Sequence, residues 1–389
     1  MDKNTKVNER RNKDPEYKYT WKHQLRRLPW LLLIPLGIFL PKLVQKYPDK
    51  VERIYARGFF PVLSRIVGWI SSLVPVSLAE LIIVIVGATI VLVLVIRLLR
   101  VPFGRLANRR KNRVRLFSFI ISICIFAGVL LNLFYVMWGF NHYRMPLPNL
   151  LGLEIKQHTT DDLADLTERL AIEAAELRAQ VAEDENGIYT IGDKRLAMNS
   201  VVNAYNRLGQ GNELFSNKCY PAKMPLFSKM LSKLDIAGIY IPYTAEENVN
   251  VEQPDLYVLS GAAHETAHYF GFAREDEANF LAFYASRWSA DASLRYSSTM
   301  LALINCANKL YEDDRDRYFA IRSAYYTDGM ERDLADYRVY YEKYENDPAG
   351  QINDQINDAY LVYHGQQDGI KSYGRMVDLL LDFYSKNPF

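Results

Sequence analysis

Hydrophobic and polar positions divide the chain near residue 140. Before that point, Leu78 to Leu99 carries one early acid, Glu80, and is then mostly Ile, Val and Leu. Leu116 to Trp138 is equally apolar and closes with Tyr135 and Trp138, where an interfacial aromatic belt belongs. Both are apolar all round rather than along one stripe, so neither reads as the helix of a water-soluble core. Each has the ~20 residues that cross a bilayer. Leu28 to Leu43 is shorter, follows Arg26 and Arg27, and contains Pro29, Pro35 and Pro41, which predict kinks. It competes between signal peptide and span, and the absence of a small-x-small cleavage site in PKLVQKYPDK favours an uncleaved span. Three spans are expected, at about 28–45, 78–99 and 116–138, within a membrane portion covering 28–139.

Between the first two spans, Val51 to Val74 repeats apolar residues at helical spacing (Ile54, Phe59, Leu63, Ile66, Val67, Ile70), with Arg53, Arg57 and Arg65 opposite. A helix lying in the membrane interface and a loop helix packed on the spans both suit that pattern. Lys and Arg set the orientation. Arg100 to Arg115 is densely basic without an acid, and residues 1–27 form a basic tail, so both are expected in the cytoplasm. Residues 140–389 then fall on the outer side of a cell membrane.

After residue 140 the pattern changes to that of a globular domain. Asp161 to Glu183 predicts an amphipathic helix with acids in its first turn. Further helices are expected over 194–208, 255–270, 276–289, 291–311, 315–326, 330–344 and 372–384. Ile236 to Thr244, β-branched and aromatic, predicts a strand. The fold class is therefore three transmembrane helices followed by a mainly α, α+β domain. No internal repeat is evident.

Charge is nearly balanced, 47 Lys+Arg against 45 Asp+Glu, which argues against a nucleic-acid binder. Three cysteines, Cys124, Cys219 and Cys306, exclude a disulfide-dense scaffold. Cys219 and Cys306 are candidates to pair if their domain is extracytoplasmic.

The chemistry concentrates in HETAHYFGFAREDEANF. His264 and His268, four apart, project from one face of a helix and can chelate one Zn2+. Glu265 between them is placed to take a proton from water beside the metal and return it to a leaving amine. The competing reading, two ordinary histidines on an amphipathic helix, is weakened by the small, apolar residues Val258 to Ala263 just before them, because a buried His-Glu-His group without metal would need other partners. A third ligand is required. Arg274 occupies the position where an HExxHxxGxxH enzyme has its third histidine, so that pattern fails. Glu275-Asp276-Glu277-Ala278-Asn279 resembles the second helix of the glutamate zincins. That resemblance implies Glu275 as the ligand and Asn279 as the residue that orients a ligating histidine; beside it, Glu277 is the rival ligand and His364 in the C-terminal stretch a further one. Among the C-terminal residues Tyr360, His364, Tyr373 and Arg375, Tyr373 is the first candidate to stabilise an oxyanion. Ile239 to Thr244 reads equally as an edge strand that pairs with an extended peptide or as a core strand.

Most of the chain also resembles the domain-of-unknown-function 3810 family of bacterial membrane proteins, through YARGFFPVLSRIVGWISSLVPVSLAEL, NHYRMPL, PYTAEENVN, HETAHYFGFAREDEANFLAFYAS and GIKSYGRMVDLLL. The resemblance implies a zincin-like site without naming a substrate. The expectation is a membrane-anchored zinc metallopeptidase acting on envelope peptides or proteins, with the lipid bilayer as its other partner. The alternative is a non-catalytic envelope sensor or scaffold that keeps a structural zinc.

Overall fold

The structure is a computed structural model and describes residues 21–100, 106–153, 156–366 and 375–386. Its contacts divide the chain into two units, Met1–Tyr47 with Glu80–Met137, and Pro48–Ala79 with Trp138–Phe389.

The first unit holds three helical stretches long and apolar enough to cross a membrane: Trp21–Val44, Leu78–Arg100 (from Glu80 on) and Asn112–Met137. Two of the three prolines of the first are absorbed at helix starts, while Pro41 lies inside Leu33–Val44. Pro29 opens a short 3-10 turn, Leu28–Leu32, and Pro35 lies in the first turn of Leu33–Val44, where its missing N–H has no role. Small residues let this helix meet Leu106–Met137 closely. A Cβ at Gly37 would stand 2.7 Å from Leu131, and one at Gly128 3.0 Å from Leu33. Polar ties fix the pair: Asn132 Nδ2 donates to the Leu33 carbonyl (2.7 Å), and the Arg27 guanidinium reaches Ser118 Oγ (3.0 Å) and Ser122 Oγ (2.7 Å).

The second unit is a helical assembly with one small sheet. The segment from Pro48 to Ala79 groups by its contacts with this unit. Its helix Phe60–Ser72 buries Phe60, Ser64, Gly68 and Ser71, a stripe at four-residue spacing made mostly of small side chains. A Cβ on Gly68 would lie 3.1 Å from the Tyr269 ring, so the stripe permits close approach to the HETAH helix, Asp255–Tyr269. That helix packs in turn on Glu275–Ser286, Ala292–Asp313, the sheet and Lys194–Gly211. Thr160–Arg178 lines the other side of Ala292–Asp313. Its start is a reciprocal cap: Asp162 N–H donates to Thr159 Oγ1 (3.1 Å) and Thr159 N–H to Asp162 Oδ2 (2.8 Å). It ends before the expected Glu183, because Asp184 to Gly187 turn the chain into a bridge between Glu183 and Tyr189.

The expected strand appears as β1, Gly238–Ile241, paired antiparallel with β2, Glu246–Val249, with Tyr240 opposite Glu247. β2 is polar yet wholly buried, and its far edge is bridged by Lys223. Lys223 in turn reaches the Ser71 carbonyl (3.0 Å) and the Glu246 carboxylate (3.6 Å). Helix Pro348–Tyr363 was not expected from the sequence. Its apolar Ile352 and Ile356 face outward, so no inward stripe announces it. Cys219 and Cys306 are both buried and free, so the pairing considered for them does not form.

Candidate metal centre

Gly271 sets the geometry of the site. It takes φ +83°, its N–H bonds the His268 carbonyl (2.9 Å), and Phe272 N–H bonds the Ala267 carbonyl (3.1 Å). This left-handed cap ends the HETAH helix after Tyr269 and returns the chain at once into Glu275–Ser286. A Cβ at Gly271 would also meet Asn141 Oδ1 at 2.9 Å, so conformation and space both demand glycine.

The turn carries Glu275 onto the two histidines. His264 Nε2 lies 3.1 Å from His268 Nε2 and 3.1 Å from Glu275 Oε2, and His268 Nε2 is 3.6 Å from the same oxygen. A tetrahedral ion with bonds of ~2.0–2.1 Å separates its ligand atoms by about 3.3 Å, close to all three sides of this triangle. The outer nitrogens are committed elsewhere: His264 Nδ1 to Asn279 Oδ1 (2.7 Å) and His268 Nδ1 to the Phe272 carbonyl (2.7 Å). Both acceptors fix Nδ1 as the protonated nitrogen, which turns both Nε2 lone pairs to one point. These three side chains could hold a metal ion. Burial alone would lower the His268 pKa, but Glu275 at its side outweighs burial and holds it up at about 9. Burial would raise Glu275, and the two imidazoles pull it well below the usual carboxylate range. Two acceptor nitrogens and a carboxylate at this separation are stable only with a proton or a cation among them.

Glu265 projects from the same helix toward β1. Its carboxyl accepts from the Tyr240 backbone N–H, while Oε2 is buried and has no partner among the described residues. Burial pushes this carboxyl above its ordinary range. A Cβ on Gly238 would sit 2.5 Å from Glu265 Oε1, so a bare backbone there makes room for it. The segment that read equally as edge or core strand thus lies alongside Glu265.

A second cluster adjoins the first. Trp138, expected in an interfacial belt, is buried, donates from its indole N–H to the His268 carbonyl (2.9 Å), and meets the rings of His268 and His142 edge-on. His142 Nε2 bonds the Tyr360 hydroxyl (2.7 Å), and its ring stacks on His364 with centroids 4.2 Å apart. Burial holds His142 well below its ordinary pKa, so it is neutral, and it brings His364 down to about 4. His364 caps a helix in this cluster, away from the ligand triangle.

Glu277 is excluded from the triangle. Buried, it accepts from Leu147 N–H (2.8 Å) and from Arg274 (3.0 Å). Tyr373 lies outside the described residues. Sequence reasoning missed His142, Trp138 and Gly238. The signal was the polar run GFNHYRM directly after an apolar span, holding one of only six histidines.

Residues 55–381 match the family described as "Protein of unknown function (DUF3810)", and the chain belongs to that family. Comparison with curated proteins and with solved structures finds no match.

Proposed function

We propose that this family member is a membrane-anchored, zinc-dependent metallopeptidase that hydrolyses extracytoplasmic peptides or proteins, its site-bearing unit a zincin-like domain. The observation that carries the reading is the ligand triangle set beside the buried Glu265 Oε2, which has no partner among the described residues. His264, His268 and Glu275 would hold the ion, and the donor set of two imidazoles and one carboxylate is one that suits Zn2+ and leaves a fourth position open. Bound there, zinc polarises a substrate carbonyl and acidifies water.

The chain's own residues supply the remaining steps. Asn279 and the Phe272 carbonyl keep the imidazoles aimed. Glu265, desolvated and fixed through one oxygen by Tyr240 N–H, takes the proton of the attacking water on Oε2 and returns it to the leaving amine. The Tyr360 hydroxyl, accepting from the Nε2–H of neutral His142 and so keeping its own proton to give, would suit the negative oxygen formed on attack. The densely basic stretch 100–115 supports a site on the outer side of the membrane.

The test uses the full chain purified in detergent. Wild type is expected to carry about one zinc per chain. Glu265→Gln should keep that zinc and lose hydrolysis of envelope polypeptides by ~10²–10⁴-fold. Zinc retained by a wild type that cleaves nothing would leave the non-catalytic scaffold, and cleavage by Glu265→Gln at the wild-type rate would sink the mechanism.

A further inference from the structure

The helix Phe60–Ser72 has an outer face that no described residue of its own unit covers. Val62, Ile66, Trp69, Ile70 and Leu73 recur at helical spacing, each between 50% and 66% exposed. A soluble helix turns such a stripe inward. Here the inward stripe is instead Phe60, Ser64, Gly68 and Ser71. The helix is therefore apolar on the face that should meet water. Near Lys223, whose ammonium is bound to the Ser71 carbonyl, Leu226, Phe227 and Met230 are exposed as well.

Chain continuity identifies what covers this face. The helical segment Val51–Ser72 follows the candidate span Trp21–Val44 and precedes Leu78–Arg100. Consecutive spans return the chain to the same side of a bilayer. The links, residues 45–50 and 73–77, can each reach no more than about 20 Å. Both ends of the segment are thus tied close to one membrane surface, and a helix tied at both ends lies along it. Its composition agrees: a tryptophan in the apolar stripe, with Arg53, Arg57 and Arg65 exposed beside it where headgroup phosphates run.

We propose that the outer face of this helix is seated in the lipid headgroup–acyl boundary and supports the site-bearing unit on the bilayer. The opposite face touches Tyr269 at the end of the HETAH helix. The metal centre is therefore carried on the same unit as the seated helix, close to the lipid surface. Resting on the hydrolytic reading above, this defines the substrate class as the membrane-proximal segments of envelope polypeptides.

The seat is tested without reference to activity. In the full chain carrying Cys124→Ala, with Cys219 and Cys306 buried, nitroxide labels are placed through Val62→Cys, Ile66→Cys and Leu73→Cys, one at a time. Val339→Cys, also exposed and apolar, serves as the reference. The proteins are reconstituted in phosphatidylcholine vesicles with phosphatidylglycerol. Labels at 62, 66 and 73 are expected to show several-fold higher collision with oxygen relative to a water-soluble nickel chelate than the label at 339. Nickel access equal to that at 339 overturns the proposal, because the face is then in water. Low access to both probes overturns it in favour of a protein partner. Hydrolysis lost with the seat intact would refute only the catalytic reading.

Discussion

Two helix pairs in this molecule solve the same packing problem and differ in everything else. In the first unit, Leu33–Val44 meets Leu106–Met137 through Gly37 and Gly128, and the remaining surface stays apolar and exposed. In the second, Phe60–Ser72 meets the HETAH helix through Gly68, and behind that contact lies a buried network of His, Glu, Asn and Trp. The first pair carries few buried polar atoms, and those it has are tied at once to a neighbouring carbonyl or hydroxyl. The second must satisfy each polar atom separately, since an unmet one costs ~1–3 kcal/mol. In such a network the exceptions are informative. Among the described residues Glu265 Oε2, on the HETAH helix between the two ligand histidines, is one of several buried atoms without a partner, with His142 Nδ1 and both side-chain polar atoms of Asn141 among the others.

The largest effect should come from two glutamates only two residues apart. Glu275→Ala removes a corner of the triangle, and zinc affinity should fall by more than the ~10–100-fold that removing an outer hydrogen-bond partner costs. Glu277→Ala should leave zinc content at the wild-type level and lower stability by ~1–3 kcal/mol, because the Leu147 N–H loses its acceptor. Metal analysis and denaturant unfolding of both variants read this out. Zinc lost from Glu277→Ala and kept by Glu275→Ala would reverse the assignment.

Next is a position with no functional group. Gly238→Ala places a methyl where Glu265 Oε1 stands and must push the carboxyl aside. A displacement near 1 Å is worth ~10²-fold in rate, with zinc retained. Hydrolysis by Gly238→Ala at the wild-type rate would show that Glu265 need not hold its observed place.

The two helix contacts can be compared directly. The Tyr269 ring facing Gly68 is fully buried and its hydroxyl is fixed on the Lys218 carbonyl (2.8 Å), so it has little room to yield. Gly68→Ala should cost about 1–3 kcal/mol by overpacking. Gly37→Ala meets Leu131 Cγ and Cδ2, both at 2.7 Å, but Leu131 is only half-buried and can turn aside, so the cost should be less than about 1 kcal/mol. Thermal unfolding in the same detergent ranks them, and the opposite order would mean that the HETAH contact is the looser one.

These differences explain what the sequence could disclose. The apolar helices are legible because lipid imposes a one-letter rule over ~20 residues. His264, Glu265 and His268 are legible because one helix fixes their spacing. Glu275 is legible only through its resemblance to a known arrangement, since its approach depends on the left-handed turn at Gly271. β2 is hidden by its own composition: Glu246, Glu247 and Asn248 read as a loop, yet all are buried. Glu246 is buried as an acceptor for the Leu78 and Ala79 N–H groups (3.0 and 2.8 Å), a role that no local pattern encodes. His142 reaches Tyr360 across 218 residues, and no sequence period spans that distance. Pro348–Tyr363 escapes for the opposite reason, its apolar residues being outside.

The smallest effect concerns pH, and it tests whether the His142–His364 stack is kept uncharged. Burial lowers the pKa of His364 to about 4, below the ordinary 6.5. Between those values the unfolded chain binds a proton that the folded chain refuses, so stability falls as pH drops from 6.5 toward 4. The fall is bounded at about 1.4 kcal/mol per pH unit. It stops near pH 4, where the folded state takes the proton too. His364→Phe keeps an aromatic ring against His142 and abolishes this contribution, so its unfolding free energy should decline less steeply than wild type over that interval. The difference should be close to zero above pH 7, where His364 is neutral in both states. His142, also buried and held neutral, adds a slope of the same sign that both proteins retain. Parallel pH profiles for wild type and variant would mean that the stack accepts charge in the folded state, and that the neutral imidazole proposed to hold the Tyr360 hydroxyl is not maintained.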